Sequence, residues 1–144
     1  SKKIGIIYQD KNLLPDFTTL ENVYMARLSL DNNKKKAVID AKNIIKKVGL
    51  DKRASHYPSE LSGGESQRVA ISRALINYPD IILADEPTGN LDQKNAKEIF
   101  KLLFSLKNKK RIIIFATHNR YFADTSDCKL NLIDGKINSI NARI

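Results

Sequence analysis

Apolar residues form continuous runs in some parts of the chain and recur at helical spacing in others, and the two patterns predict different elements. The runs at 4–8, 81–84 and 112–116 predict short buried strands, and the run at 81–84 is typical of a strand covered on both faces. Residues 129–133 and 136–140 flank Asp134-Gly135, which predicts a hairpin with a tight turn.

Helical spacing fills the intervals between these strands. Thr18 and Glu21 form a capping box for a helix that runs toward Leu30, and Asp31-Asn32-Asn33 breaks it. Residues 37–48 repeat at helical spacing, and Gly49 stands where a left-handed C-cap belongs. Two further helices are predicted, one from residue 65 to about 77, before a proline, and one after Asp92. Residues 81–116 therefore predict a β-α-β unit with a right-handed parallel crossover.

Composition limits the class of protein. The chain has 144 residues, of which 42% are hydrophobic, enough for one domain with a core. A single cysteine excludes an internal disulfide and fits a reducing, cytoplasmic setting, and no apolar run approaches the roughly 20 residues that cross a bilayer. The cysteine, Cys128, is expected to be a small packing residue.

The net charge of +9 has two interpretations. Lysines cluster at 34–36 and 46–47, and a third basic cluster at 107–111 includes one arginine. These clusters could form a surface for anionic lipid or nucleic acid. They could instead be ordinary solvated helix ends and loops. Aromatic residues are few and do not alternate with the basic runs, which argues against a platform that stacks single-stranded nucleic acid.

Ser62-Gly63-Gly64-Glu65 is the first candidate for chemistry. Ser62 and Glu65 form a capping box, so the segment could simply start a helix. However, each glycine costs about 0.5–1 kcal/mol there relative to alanine, so their presence suggests a close approach to the backbone. Bare amides at a helix N-terminus bind phosphate well.

Polar residues also follow two of the predicted strands. Asp85 and Glu86 end the run at 81–84, and Thr117-His118 ends the next strand of the same unit. Ligands of parallel sheets bind outside the carboxyl ends of the strands, so one carboxylate could help to hold Mg²⁺ while the other accepts a proton from an attacking water. Each of these residues could instead lie in an ordinary solvated loop, and His56 is interpreted as a loop residue.

Taken together, these segments closely resemble the nucleotide-binding domain of ATP-binding cassette (ABC) ATPases over nearly the whole chain. The matching segments are Tyr8-Gln9 (Q-loop), 61–65 with Gln67-Arg68 (signature), 81–85 (Walker B) with Glu86 in the place of the catalytic glutamate, 89–92 (D-loop) and His118 (switch histidine). Within the family, residues 9–23 are most similar to the lipoprotein-releasing, macrolide-exporter and cell-division clade, of which the lipoprotein-releasing type is favoured. The resemblance thus implies the ATP-hydrolysing subunit of a membrane transporter for lipoprotein release or a related export.

The resemblance implies an α/β fold: a partial P-loop NTPase-like parallel sheet with a helical signature subdomain at about 10–78 and a catalytic core formed by 1–9 and 79–144. It implies ATP and Mg²⁺ as cofactors, with Glu86, His118 and Gln9 as catalytic residues. Asp85 and Gln9 would be the metal ligands. Ser62, Gly63, Gly64, Glu65 and Asp92 would be the cofactor-binding residues.

The resemblance also implies partners and a location. ATPase subunits would form a head-to-tail homodimer, in which the signature of one subunit meets the terminal phosphate held by the other. A transmembrane permease would place a cytoplasmic helix on residues 9–50, which puts the protein in the cytoplasm, peripheral to the inner membrane. No specific nucleic acid is expected.

The family's Walker A pattern, G-x-x-x-x-G-K-[ST], does not occur in this sequence. The chain is therefore expected to be the C-terminal part of a cassette without the phosphate-loop strand, inactive alone and prone to self-association through exposed sheet edges.

Two rival functions stay open. A DNA-maintenance ATPase shares the signature and Walker B, but it places long coiled-coil arms between Q-loop and signature, whereas Leu61 comes only 52 positions after Gln9. The other rival is a non-catalytic module that binds a membrane partner.

Overall fold

The structure, a computed structural model, describes residues 3–30 and 32–142 of the chain. The elements are β1 (Ile4–Ile7), α1 (Thr19–Leu28), α2 (Lys34–Lys47), α3 (Gly63–Leu75), β2 (Ile81–Asp85), α4 (Gln93–Ser105), β3 (Ile112–Ala116), α5 (Arg120–Asp124), β4 (Cys128–Ile133) and β5 (Lys136–Ala142). Two 3-10 turns, Asp51–Arg53 and Pro58–Glu60, precede α3. The predicted strands and the four longer helices are confirmed. However, the prediction that 112–116 is a buried strand is wrong, because no residue of β3 is fully buried and Ile112 and Ile114 are more than half exposed. Helix α5 and the 3-10 turns were not predicted.

The central sheet is parallel and has the order β1-β2-β3. Strand β2 pairs with β1 from Ile4 opposite Ile81, and with β3 from Ile81 opposite Ile112. The predicted β-α-β unit is thus confirmed, and the carboxyl ends of β2 and β3 open on the same edge. Among the described residues β1 and β3 are the outer strands of this sheet, and self-association through them stays a prediction.

One face of this sheet is covered by the described residues, and the other is not. Ile82 of β2 is fully buried, and it joins a cluster with residues of α3 and α4. On the opposite face Ile6 and Ile114 flank Leu83 and are 45% and 53% exposed. The prediction that 81–84 is covered on both faces is therefore wrong, because α3 and α4 pack on the same side and the described residues place nothing on the other.

The main core lies between that covered face and helices α1 to α4. Its largest fully buried side chains include Ile7, Ile45, Ile71, Ile82 and Ile99. The division into a helical subdomain at 10–78 and a catalytic core stays a prediction. In the range that the structure covers, no helix combines the length and the apolar character that a membrane span requires.

Short-range sequence signals set the helix ends. Thr18 and Glu21 form the predicted capping box, although α1 ends at Leu28 rather than near Leu30. Asn33 caps α2, and the predicted break at 31–33 includes Asp31, which lies outside the described residues. Gly49 has φ +78°, and the N–H of Leu50 bonds to the carbonyl of Ile45, as in a Schellman motif.

The C-terminal hairpin forms a separate two-stranded sheet. Asp134 and Gly135 have φ values of +49° and +73°, which confirms the tight turn. Leu132 and Ile137 face one another across the pair and are more than half exposed. Cys128 is exposed, so its prediction as a packing residue is wrong: it lies at the open end of a hairpin that is solvated in this structure.

Candidate functional site

Glu86 lies one residue beyond β2, with its carboxylate turned toward the end of β3. Its backbone has φ +40°, and its N–H bonds to the carbonyl of Ala116. One carboxylate oxygen accepts from the backbone N–H of His118 at 2.6 Å, and the other accepts from the hydroxyl of Thr117 at 3.1 Å. The side chain of Glu86 is only 17% exposed, so its position is held by the next strand.

The His118 side chain is fully exposed beside this carboxylate. Its Nε2 lies 3.7 Å from Oε1 of Glu86. The loop is fixed just after it, because Asn119 caps α5 and Phe122 stacks on Phe100 of α4 at a centroid distance of 4.1 Å. The imidazole can therefore turn toward a bound group while its backbone stays in place.

Gln9, Glu86 and His118 line one cavity of about 860 Å³ at the carboxyl edge of the sheet, together with the residues Thr88, Gly89, Leu91, Tyr121 and Phe122 among others. The Gln9 amide reaches across to Gly89, where its Nε2 lies 3.4 Å from the position that an added Cβ would take. The structure thus brings the three residues predicted as catalytic into one place. Their catalytic roles stay predictions.

Asp85 is placed apart from that cavity. It ends β2 on the uncovered face of the sheet, where it borders a cleft of about 260 Å³ with Tyr8, Leu83 and Ile114. Asp85 is the last residue of β2 and shares the uncovered face with Leu83, as strand alternation requires. Glu86 lies beyond the strand, and its left-handed backbone accompanies a side chain that turns toward Thr117 and His118 instead. Among the described residues no group of three His, Cys, Asp or Glu side chains could hold a metal ion. The two predicted metal ligands, Asp85 and Gln9, therefore line separate cavities, and a role of either side chain in holding Mg²⁺ stays a prediction.

The N-terminus of α3 carries the predicted glycine motif. The Ser62 hydroxyl accepts from the N–H of Glu65, and a Glu65 oxygen accepts from the N–H of Ser62 at 2.8 Å. The other Glu65 oxygen meets Nε of Arg53 at 2.8 Å. The Arg53 guanidinium, followed by the Ser62 N–H, lowers the pKa of Glu65 to about 2. Glu65 is therefore engaged within the chain, and its cofactor-binding role stays a prediction.

The two glycines of the motif have different surroundings. A Cβ on Gly64 would lie 2.7 Å from Oδ1 of Asn95, whereas a Cβ on Gly63 would meet only Cδ2 of Leu91 at 3.4 Å. The close approach to the backbone that the glycines suggested does occur at Gly64, and the group that approaches is the Asn95 side chain. Gly63 is exposed, so its amide edge is open to a ligand.

Asp92 links that contact to the loop after Glu86. Its carboxylate caps α4 by accepting from the N–H groups of Lys94 and Asn95, and it also accepts from the Asn95 amide. The N–H of Asn95 is the main cause of a lowered pKa for Asp92. Within the chain, Asp92 holds the Asn95 side chain beside Gly64. Binding of a ligand by Asp92 stays a prediction.

Sequence reasoning missed the arginine that holds the loop after Gln9. Arg73 of α3 donates from its two terminal nitrogens to the carbonyls of Lys11 and Asn12, both at 2.6 Å. Asn12 has φ +46°, so the loop turns sharply there. No local signal could have shown this, since the partners are more than 60 positions apart in sequence. His56, predicted as a loop residue, does lie in the loop before Pro58–Glu60.

Comparison with known proteins adds an independent line of evidence. The family model described as ABC transporter matches residues 1–89. The lipoprotein-releasing system ATP-binding protein LolD of Cytophaga hutchinsonii is 48% identical over 138 residues, which cover 95% of this chain and 63% of that protein. LolD of Rickettsia bellii is 49% identical over 136 residues, which cover 94% of this chain and 62% of that protein. This chain thus spans less than two thirds of the length of these relatives.

Solved structures give the same result for the fold. The dimeric ATP-binding cassette MJ0796, in a post-hydrolysis state bound to ADP and Pi, superposes with a TM-score of 0.84 at 35% identity. The match covers 99% of this chain and 63% of that one. With the family model extending over more than half of the chain, and with this superposition, the protein belongs to the ABC transporter family.

Proposed function

We propose that this chain carries the hydrolytic part of the ATP site in an ABC cassette that energises a lipoprotein-releasing or related export system. The arrangement that carries the proposal is the carboxylate of Glu86, held at a sheet edge by the backbone of His118 in a cavity shared with Gln9. The LolD relatives are named for lipoprotein release, which supports this export class.

Glu86 is the general base in this proposal. Its two oxygens accept from Thr117 and from the His118 N–H, so the carboxylate is oriented before a substrate arrives. A carboxylate in this position would take a proton from the attacking water, a contribution of about 10²–10⁴-fold in rate. His118, exposed beside it, would donate a hydrogen bond to the terminal phosphate and orient the water.

Asp85 and Gln9 would hold Mg²⁺, largely through water. The ion, when bound, neutralises charge on the phosphates. Gln9 lies in the cavity with Glu86, and Asp85 is exposed at the adjoining strand end, so the two side chains approach from different sides.

Ser62, Gly63 and Gly64 would serve a second ATPase subunit rather than their own. The open amide edge at Gly63, with the α3 dipole behind it, suits a phosphate presented by a partner in a head-to-tail homodimer. The dimeric MJ0796 cassette supports such an assembly. A transmembrane permease would bind residues 9–50, which would place the ATPase on the cytoplasmic side of the inner membrane.

The test replaces Glu86 by glutamine in a full-length cassette that carries this chain. Glutamine keeps an oxygen for the His118 N–H but loses basicity, so we expect turnover to fall by about 10³-fold with nucleotide affinity unchanged within a few-fold. Glu98→Gln removes the same charge from a surface ion pair with Arg68 and should leave turnover nearly unchanged. Turnover of Glu86→Gln close to that of the Glu98→Gln control would exclude Glu86 as the base.

A further inference from the structure

The outer face of α2 has an unusual composition. The exposed residues of this helix are Lys34, Lys35, Lys36, Ile39, Lys42, Asn43, Lys46 and Lys47. The only acid of the helix, Asp40, turns inward to Arg27 of α1, with 3.6 Å between Oδ2 and Nε. The solvent side of α2 is therefore entirely basic apart from one isoleucine and one asparagine.

Apart from Lys34, whose charge adds to the Thr18 hydrogen bonds that lower the pKa of Glu21, these lysines have no acidic partner among the described residues. Lys34 lies over the Tyr24 ring at 5.8 Å, and none of the other five makes an ion pair with a carboxylate in residues 3–30 or 32–142. Elsewhere basic groups do find partners, as Lys107 does at Asp127 and Lys129 at Asp124. A patch of uncompensated positive charge fits an anionic partner.

Helix stability does not account for the pattern. Lysines in the first turn, such as Lys34 and Lys35, oppose the helix dipole, whose positive end lies there, and α2 has no acid in that turn. Lys42 and Lys46 are one turn apart, a spacing at which like charges repel. Lys46 and Lys47 do suit the negative end of the dipole in the last turn. The first-turn lysines and the Lys42–Lys46 spacing are unfavourable for the isolated helix, and for these an external anion is a better explanation than local stability.

Ile39 indicates which anionic partner is suitable. It is 60% exposed and stands one helical turn from Lys35 and Lys42, in the middle of the basic face. An apolar side chain ringed by lysines on a helix surface is typical of a segment that lies on a membrane. Nucleic-acid readers use arginine forks and aromatic stacking, and the exposed face of α2 carries neither.

We propose that the α2 lysine face, formed by Lys35, Ile39, Lys42 and Lys46, binds an anionic lipid surface. The ammonium groups would lie among the phosphate headgroups, and Ile39 would enter the boundary with the acyl chains. Within residues 9–50, this assigns the outer face of α2 to lipid and leaves the loop after Gln9 and α1 to the proposed permease. Lipid binding needs no ATP, so it stands or falls separately from the proposed hydrolytic function.

The first test is sedimentation of the full chain with lipid vesicles. We expect binding to phosphatidylcholine vesicles that contain about one third phosphatidylglycerol, and little binding to phosphatidylcholine alone. Raising the salt from about 0.1 M to about 1 M shortens the screening length from about 10 Å to about 3 Å and should release the protein. Equal binding to both vesicle types would overturn the proposal, because binding without anionic lipid would mean that the uncovered apolar faces of the sheets contact the membrane.

Substitutions locate the surface. The variant with Lys35→Gln, Lys42→Gln and Lys46→Gln should lower the partition coefficient by about 100-fold, since each lysine near an anionic surface contributes about fivefold. Glutamine is nearly as good a helix former as lysine, so circular dichroism should be unchanged. Ile39→Ser should lower the partition coefficient by about tenfold.

A matched control removes the same charge elsewhere. Lys94, Lys101 and Lys109 are exposed on and after α4, and their joint replacement by glutamine should change binding by less than about threefold. A loss equal to that of the α2 variant would show that only net charge matters and would overturn the proposal. Displacement of the vesicles by duplex RNA, dependent on the same α2 lysines, would overturn it in favour of nucleic acid.

Discussion

The carboxylate of Glu86 is held by the backbone of His118 rather than by its ring: Oε1 accepts from the N–H at 2.6 Å, while Nε2 of the imidazole is 3.7 Å away. The orientation of Glu86 therefore does not depend on what side chain stands at position 118. Thr117 and the backbone thus orient the carboxylate that is proposed as the base, while the imidazole of the next residue remains exposed beside it.

His118→Ala should therefore remove activity without removing stability. In a full-length cassette that carries this chain, we expect turnover to fall by about 10²-fold or more. The free energy of unfolding should change by less than about 0.5 kcal/mol, since the side chain is fully exposed. ATP hydrolysis and urea unfolding measure the two effects. His56→Ala is the control, because the ring of this second histidine contacts Arg53 and does not line the cavity of Glu86. Equal losses in both variants would argue against a role for His118.

Glu65 should make the stability of the chain depend on acid pH. The Arg53 guanidinium and the Ser62 N–H lower its pKa from 4.5 to about 2, so its stabilising contribution is complete above the unfolded value near 4.5 and is lost as the pH falls toward 2. The side chain is 26% exposed, and solvent reduces the contribution to about 1–2 kcal/mol.

Glu65→Gln isolates that contribution. Glutamine can still accept from the Ser62 N–H, so the capping box survives and only the charge opposite Arg53 is lost. Urea unfolding between the two pKa values should show a shallower pH dependence for this variant than for wild type. Glu98→Gln should keep the wild-type slope, and a wild-type slope in Glu65→Gln would mean that another carboxyl group is responsible.

Local sequence signals predicted much of the fold because the groups that end a helix lie within a few residues of one another. The Ser62–Glu65 box and the Asp92 cap are of this kind, and both formed as expected. The same holds for the turn at Asp134 and Gly135. The carboxyl edge of the sheet was also predictable, because a β-α-β unit aligns its strand ends and thereby brings Glu86 to His118.

Contacts between distant segments were not predictable. The apolar run at 81–84 predicts a strand, but it does not show whether a helix covers each face of that strand. In the described chain one face is uncovered. Arg73 donates a hydrogen bond to the carbonyl of Asn12, which lies 61 positions away in sequence. The two consecutive glycines suggested that some group approaches the backbone closely, but the sequence did not show that this group is the Asn95 side chain.

Arg73→Lys tests whether the arginine fork holds the loop after Gln9. One ammonium has no planar fork to span the carbonyls of Lys11 and Asn12 together, so one hydrogen bond of about 1 kcal/mol should be lost. We expect amide hydrogen exchange in residues 9–14 to accelerate by about fivefold. Arg111→Lys is the control, since that arginine also donates to two backbone carbonyls, at Pro79 and Leu106, and should leave exchange at 9–14 unchanged.

Gly64→Ala and Gly63→Ala form a matched pair of substitutions in one helical turn. A Cβ at Gly64 would lie 2.7 Å from Oδ1 of Asn95, whose amide is tied to Asp92, so accommodation breaks a hydrogen bond and should cost about 1–2 kcal/mol in urea unfolding. A Cβ at Gly63 meets only Leu91 at an ordinary distance and should stabilise the chain by about 0.5 kcal/mol.

The double variant Gly64→Ala with Asn95→Ala decides whether this contact is the cause. Once Asn95 is truncated, the added methyl group has room, and alanine at position 64 should become neutral or stabilising relative to Asn95→Ala alone. A coupling energy of about 1 kcal/mol or more between the two positions would establish that Asn95 is what requires a glycine there. An unchanged cost of Gly64→Ala in the Asn95→Ala background would instead mean that the backbone at position 64 disfavours alanine for a reason that does not involve α4.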